Sequence, residues 1–237
     1  MFRLLTALLV AALISASAPL ARAQELTPPA HATSKESTWK GAFEDSLRLL
    51  LVEHAIRVSF QDKTRRELGG SFFGDYRRSL RIPRTWEDGD SWFVNYIGHP
   101  IHGAAASRIW LDHSARGREY TRLSKKQYWA SRAVAGAWAA GYSVQFEFGP
   151  LSEASIGNVG LDPSTAGWVD HVVTPAGAFG ITVAEDAIDK YFIELVERHT
   201  RNRFYRITLR VLLNPSRTMA NLSQFRAPWH RFDRTLR

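Results

Sequence analysis

The sequence predicts a mainly α-helical fold, a single-domain bundle whose buried helices are rich in small residues. Three observations carry that expectation. Trp39, Phe43, Leu47, Leu50, Leu51, His54 and Val58 recur at helical spacing. Residues 128–148 are apolar and dense in Ala and Gly, which suits close helix approach. Residues 204–213 alternate like a strand, but nothing else in the chain offers a strand to pair with, so helix is the better reading.

The N-terminus reads as a targeting segment. Arg3 precedes an apolar run over residues 4–14, and Ala21-Arg22-Ala23 is a small-residue cleavage signal. The run is shorter than the roughly 20 residues that span a bilayer. Residues 1–23 are therefore expected to be a signal peptide, leaving 237 − 23 = 214 residues outside the cytoplasm. Residues 24–37 are polar, contain Pro28-Pro29 and read as a disordered leader. The helical domain is expected over residues 38–222, followed by a basic tail over 223–237. The chain has no cysteine, which excludes disulfides, thiolate catalysis and cysteine-ligated metals. A hydrophobic core must hold the fold instead, and the length suffices for one.

The net charge of +8 is uneven. Residues 200–237 hold nine arginines against Asp233 alone, and residues 24–199 sum to about −2. A basic end on an exported chain points to an anionic lipid, lipopolysaccharide or an envelope glycan before nucleic acid. Arg206 and Arg210 are the candidate anion-binding residues of that region.

The first helix covers about residues 39–58, with His54 on its apolar face as a buried, hydrogen-bonded histidine. A short helix is expected within residues 71–82, ended by Pro83. Residues 85–92 (TWEDGDSW) read as a plain turn, because the D-G-D core lacks the alternating ligands and distal glutamate of a calcium loop. The second helix is expected to start at His99, with Pro100 at its first turn. Ser124 is the expected cap of the third, which runs to about Phe148. Arg132, Gln145 and Glu147 argue against a membrane span there. A loop follows, and Thr174-Pro175 is expected to open a helix that buries Ile181, Ala184, Ile188, Tyr191, Phe192 and Leu195. Glu185, Asp189 and Glu197 are expected off that face. Asn214-Pro215 stops the last helix, and short turns finish the chain.

Chemistry concentrates at N-Y-I-G-H-P-I-H-G, residues 95–103. His99 and His102 are three apart, so on a helix their Cβ atoms lie about 5–6 Å from each other. They could chelate a divalent ion with a third ligand. His99 could instead act as a general base oriented by a carboxylate. Or the pair could be structural, with His99 capping the helix start and His102 bonded to a buried Glu147 or Asp170. His171, beside Asp170, is a further donor. H-E-x-x-H, G-x-S-x-G and phosphate-binding glycine loops are all absent.

The same stretch, with V-D-H-V-V-T-P-A-G-A-F-G and then L-N-P-S-R, resembles an exported bacterial family known only as a domain of unknown function. Its pattern N-Y-x-G-H-P-x-x-G, a glutamate-bearing loop and D-x-x-x-T-P-x-G maps onto Asn95, Tyr96, Gly98, His99, Pro100, Gly103, Glu153, Asp170, Thr174, Pro175 and Gly177. Gly180 lies about one residue from the pattern's last glycine. The resemblance implies an envelope location and a mainly helical domain, and brings no known reaction. It makes His99 a motif position and His102 a variable one, which weighs against a two-histidine chelate. The expectation is an envelope protein, periplasmic or at a membrane surface, with no cofactor and no metal. Its polar cluster either locks helices or binds a ligand, with Asn95, His102, His171, Arg206 and Arg210 as ligand-binding candidates. The alternative is a hydrolase or transferase acting on an envelope lipid or glycan, with His99 as base and Glu153 or Asp170 as orienting or acid group.

Overall fold

The computed structural model describes residues 39–60, 64–65, 72–80, 83–156 and 166–236. The expected signal peptide and leader, and residues 157–165 of the long loop, lie outside that set. The described chain is a helical bundle. No strand occurs among the described residues, only a parallel bridge between Thr85 and Gly167.

In chain order the helices are α1 (Trp39–Phe60), α2 (Phe72–Ser79), α3 (His99–His113), α4 (Ala115–Arg118), α5 (Lys125–Phe148), α6 (Glu153–Ile156), α7 (Val169–Ile188), α8 (Glu194–His199), α9 (Arg203–Leu213) and α10 (Pro215–Ser223). Helix α3 is the central rod, packed against α1, α5, α7 and α10. Its Ala104-Ala105-Ala106 run is fully buried and lets those neighbours come close. Gly103 and Gly177 bring α3 and α7 closest. A Cβ on Gly103 would stand 2.9 Å from Ala178 and Thr174 atoms, and one on Gly177 2.7 Å from Pro100. The main core joins Leu49, Leu50, Ile109, Tyr142 and Phe146, and a Trp39–Trp110–Trp138 cluster closes one end.

Local signals placed several helices well. Ser124 caps α5 in a capping box, accepting from the Gln127 amide at 3.4 Å while Gln127 Oε1 accepts from the Ser124 amide at 3.1 Å. Asn202 caps α9 by accepting from the Tyr205 amide at 3.1 Å, which settles residues 204–213 as helix.

Three expectations are corrected. Thr174 and Pro175 do not start a helix. Helix α7 begins at Val169 and carries Pro175 inside it. Its first amides are satisfied from outside, Trp168 N–H donating to Thr85 O at 3.1 Å and Val169 N–H to Trp86 O at 2.9 Å, and the buried Val169, Asp170 and Thr174 hold the extra turn in place. His99 does not sit at a helix cap. The chain is already winding through a π turn, Val94–Gly98, and Gly98 itself is helical. Residues 215–223, expected as turns, form α10 with Pro215 in its first turn, where a missing N–H costs nothing.

The fourth correction concerns which faces are inside. Helix α1 buries Asp45, Ser46, Glu53 and His54 with Leu49 and Leu50, while Phe43 (63 % exposed) and Leu51 (50 %) face out. Helix α7 and the π turn after it (Asp189–Ile193) bury Glu185, Asp186 and Asp189, and expose Tyr191 (69 %) and Phe192, with Leu195 of α8 exposed beyond them. Helix α5 buries Arg132 and Glu147, and exposes Trp129, Val134 and Val144. On α1 periodicity places Leu50 and His54 inside as expected but not Phe43, Leu47 or Leu51, and on α7 it points the wrong face inward, because the charged residues find partners on neighbouring helices.

The basic tail is among those partners. Arg210, 1 % exposed, holds Glu197 through two guanidinium nitrogens. Arg231 and Arg234 both donate to Asp189, at 3.0 and 2.8 Å. Arg217, Arg108 and Arg132 converge on Asp186. Gln224 and Arg226 reach Asp112. Residues 224–236 are therefore folded back against the bundle. No helix among the described residues is long and apolar enough to cross a membrane.

Candidate functional site

The segment after Pro83 delivers the first acids. Thr85 and Trp86 accept the opening amides of α7, and Gly167 must be glycine because a Cβ there would stand 2.5 Å from the Trp86 carbonyl oxygen. Beyond that anchor, Gly89 at φ 89° turns the chain so that Asp88 and Asp90 face inward. Asp88 Oδ1 accepts from the Asn95 side-chain amide at 2.7 Å and from the Asp90 backbone N–H at 3.0 Å. The Asp88 and Asp170 carboxyls act on each other, and their interaction lowers Asp88 and raises Asp170.

His99 follows the π turn and points its Nδ1 toward Asp170 Oδ1 at 3.8 Å, too far for a hydrogen bond. Glu147, from the last turns of α5, completes the group. One ligating atom from each of His99, Glu147 and Asp170 lies within 4.8 Å of the others, and all three residues are buried. Glu147 Oε1 and Asp170 Oδ1 have no hydrogen-bond partner.

Burial controls the protonation of this cluster. It drives His99 down to about 4, with repulsion from His102 adding to it against the pull of Asp88, so the imidazole is neutral at pH 7. Burial pushes Glu147 up, and Asp88 and Asp90 add to the rise while Arg57 opposes it. Asp170 is pushed well above the carboxylate range by burial, then by Glu147 and Asp88. The contact of His99 with Asp170 is thus between neutral groups, not an ion pair.

A second group adjoins it across Phe146. Glu53 accepts from the Tyr142 hydroxyl at 2.6 Å and lies 3.5 Å from His102 Nδ1, outside hydrogen-bond geometry. Burial raises Glu53, against His102 and Tyr142. Arg57, one turn along α1, pairs with Glu153 at the start of α6 and feels Glu147, Asp90, Asp170 and Asp88. His54 stacks on Phe146 at 5.0 Å and shares a hydrogen bond with the Leu151 carbonyl at 3.1 Å, the buried histidine its spacing suggested.

Between these groups opens a cleft of about 220 Å³. Its polar wall is Glu53, Arg57, Asp90, His99, His102 and Glu153, and its apolar wall includes Ile56, Phe60, Phe93 and Val94. A separate void of about 10 Å³ beside Gly103 and Thr174 is only water-sized.

The expected site residues divide accordingly. His99 and Asp170 meet. Glu153 lines the same cleft from its far side, engaged by Arg57. Asn95 is buried and holds Asp88 rather than facing the cleft. His102 lines the cleft but addresses Glu53, not Glu147 or Asp170. His171 is elsewhere, stacked on Phe148 at 4.9 Å. Arg210 is consumed by Glu197, and Arg206 lies outside the cleft on α9. Glu53, Arg57, Asp88, Asp90 and Tyr142 were not anticipated. Glu53 and Arg57 lie one turn apart on α1, among several other charged residues of that helix, and Asp88 and Asp90 flank Gly89 in the D-G-D turn. Among known proteins, no family model, no curated protein and no solved structure matches the chain.

Proposed function

We propose that this is an exported envelope protein that rests on a membrane surface and uses the His99 cleft to bind the polar part of an envelope lipid or glycan. The observation that carries this reading is the inverted distribution of side chains, with ionised groups paired inside and large apolar residues outside. On α1 Phe43, Leu47 and Leu51 form an exposed row on one flank of the helix, while the exposed Ile56 and Phe60, on the other flank, belong to the apolar wall of the cleft. An amphiphile whose tail lies against Ile56, Phe60 and Phe93 would meet the polar wall with its head. Exposed apolar surface on this scale marks an interaction site rather than an ordinary solvated exterior. Attachment by the basic tail is the weaker route, since Arg210, Arg217, Arg231 and Arg234 are engaged by internal carboxylates.

Flotation of the purified chain with phosphatidylcholine vesicles, with and without phosphatidylglycerol, tests the attachment. Binding to both is expected to persist at about 0.5 M salt, where electrostatic attraction is screened within about 4 Å. A Phe43→Ser/Leu51→Ser variant is expected to stay in solution. Loss of binding at high salt, an unchanged double variant, or a dimer that covers α1 would each overturn the reading.

The second reading is a hydrolase or transferase with His99 as general base. It is favoured by a neutral imidazole on the cleft wall with Asp170 behind its Nδ1. A His99→Gln variant with native stability and undiminished ligand binding, but no turnover of an envelope lipid or glycan, would separate it from pure binding.

A further inference from the structure

We propose that His99, Glu147 and Asp170 form a binding site for a divalent first-row transition-metal ion. The three side chains come from α3, α5 and α7, so three packed helices fix their positions. Their ligating atoms lie within 4.8 Å of one another in a buried setting. Donors around a tetrahedral ion with bonds of about 2.1 Å stand about 3.4 Å apart, so closure needs side-chain movements of about 1 Å. One imidazole and two carboxylates, without sulfur, suit zinc, manganese, iron or nickel.

A second observation points to a cation independently. Glu147 Oε1 and Asp170 Oδ1 are buried and accept no hydrogen bond, and the latter faces His99 Nδ1 at 3.8 Å. Buried acceptors of this kind cost free energy when left unsatisfied. A cation between them satisfies both oxygens and the imidazole together. The surroundings fit as well. Asp88, held by Asn95 and the Asp90 N–H, interacts with Asp170, the kind of outer group that can orient a metal ligand. Glu147, Asp90, Asp170 and Asp88 all act on the guanidinium of Arg57, which also pairs with Glu153, so the surroundings carry several acidic groups. Three protein donors leave positions open for water or a ligand, and His99 places the site against the cleft. The site is not the His99–His102 chelate, because His102 turns to Glu53.

The inference is independent of membrane attachment and of the cleft's ligand, and its test uses metal alone. Full-length protein stripped with EDTA is titrated with Zn²⁺ by calorimetry, and with Co²⁺ while its visible absorption is followed. About one equivalent is expected, with the Co²⁺ band reporting nitrogen and oxygen ligation. Glu147→Gln and Asp170→Asn are expected to keep the native circular dichroism and to weaken Zn²⁺ by at least about tenfold, while His102→Ala and His171→Ala stay within about twofold. Binding of less than about a tenth of an equivalent of Zn²⁺, Co²⁺ and Mn²⁺ would sink the proposal, since a three-donor site held by packed helices binds stoichiometrically. So would folded Glu147→Gln and Asp170→Asn variants that bind undiminished. A loss in His102→Ala equal to that in Asp170→Asn would move the site to the histidine pair and overturn this assignment. If His99→Ala fails to fold, the two carboxamide variants decide.

Discussion

Two buried charge clusters lie in this bundle, and they are built on opposite principles. Around Asp186 and Asp189 the carboxylates are saturated. Asp186 accepts from Arg108 at 2.6 Å, from two nitrogens of Arg132 at 2.8 and 2.6 Å, from Tyr128 at 3.0 Å and from Arg217 at 3.1 Å. Asp189 accepts from Arg231, Arg234 and Tyr120. Around Asp170 and Glu147 burial and mutual repulsion favour the protonated carboxyls, and Asp170 Oδ1 and Glu147 Oε1 have no hydrogen-bond partner. A saturated cluster has no valence left for anything else, so its work is to join helices. An unsaturated cluster beside a cleft is where a ligand or ion has something to gain. Each adjoins a π turn, Val94–Gly98 before His99 and Asp189–Ile193 at the network, so the local winding is shared and the pairing is not.

The largest expected effect tests the saturated side. Asp189→Ala leaves the fully buried Arg231 without its carboxylate, while Arg234 keeps Glu194 and Glu197, and should cost about 3–5 kcal/mol in denaturant unfolding. Asp170→Asn at the other cluster should stay within about 1 kcal/mol of wild type in metal-free buffer, since it replaces one neutral hydrogen-bonding group by another. Equal losses would erase the distinction.

A middle effect is expected at the helix contact that assembles the cleft. Gly103→Ala drives its methyl into Ala178 and Thr174, and should destabilise by about 1–3 kcal/mol by overpacking. It should also move His99 away from Asp170, so a Gly103→Ala variant with full Zn²⁺ affinity would argue that the α3–α7 spacing does not set the site.

The smallest effect is a difference in pH response. Burial alone would raise Asp186 and Asp189, but Arg108, Arg132 and Arg217 around the first, and Arg231, Arg217 and Arg234 around the second, hold both below the usual range. Their stabilisation is full above the unfolded value of about 3.9 and disappears as pH falls through the lower folded values. Glu147 and Asp170 have the opposite sign. Their folded state keeps protons that the unfolded chain releases above about pH 4, so their contribution declines as pH rises toward the folded values. In EDTA-containing buffer, Glu147→Gln should flatten the neutral side of a Tm–pH curve and leave the acid limb in place. Disappearance of the acid limb in that variant would assign acid loss to the cleft and break the comparison.

Sequence reasoning reached the cleft through one residue pair and lost the rest for identifiable reasons. His99 and Asp170 were legible because a histidine-proline helix start and a paired D-H are local features. Asp88 and Asp90 were dismissed with their turn, since their direction depends on Gly89 and on the anchoring of Thr85 and Trp86 to α7. Glu53 and Arg57 were hidden in a helix whose apolar stripe was assigned to the core. The C-terminal arginines were counted as surface charge, although Arg210 and Arg231 are among the most buried side chains of the protein.

The sequence by itself determined helical content, the Ser124 cap and the stop at Asn214-Pro215, because each depends on neighbours within a turn or two. Only the tertiary structure decided which face of each helix is inside. A buried Glu, Asp or Arg is unfavourable alone and acceptable once a partner arrives from another helix. Those partners are separated by long stretches of chain, as Arg108 is from Asp186 and Asp88 from Asp170. No local pattern records such pairings, and in this protein they set both the core and the candidate site.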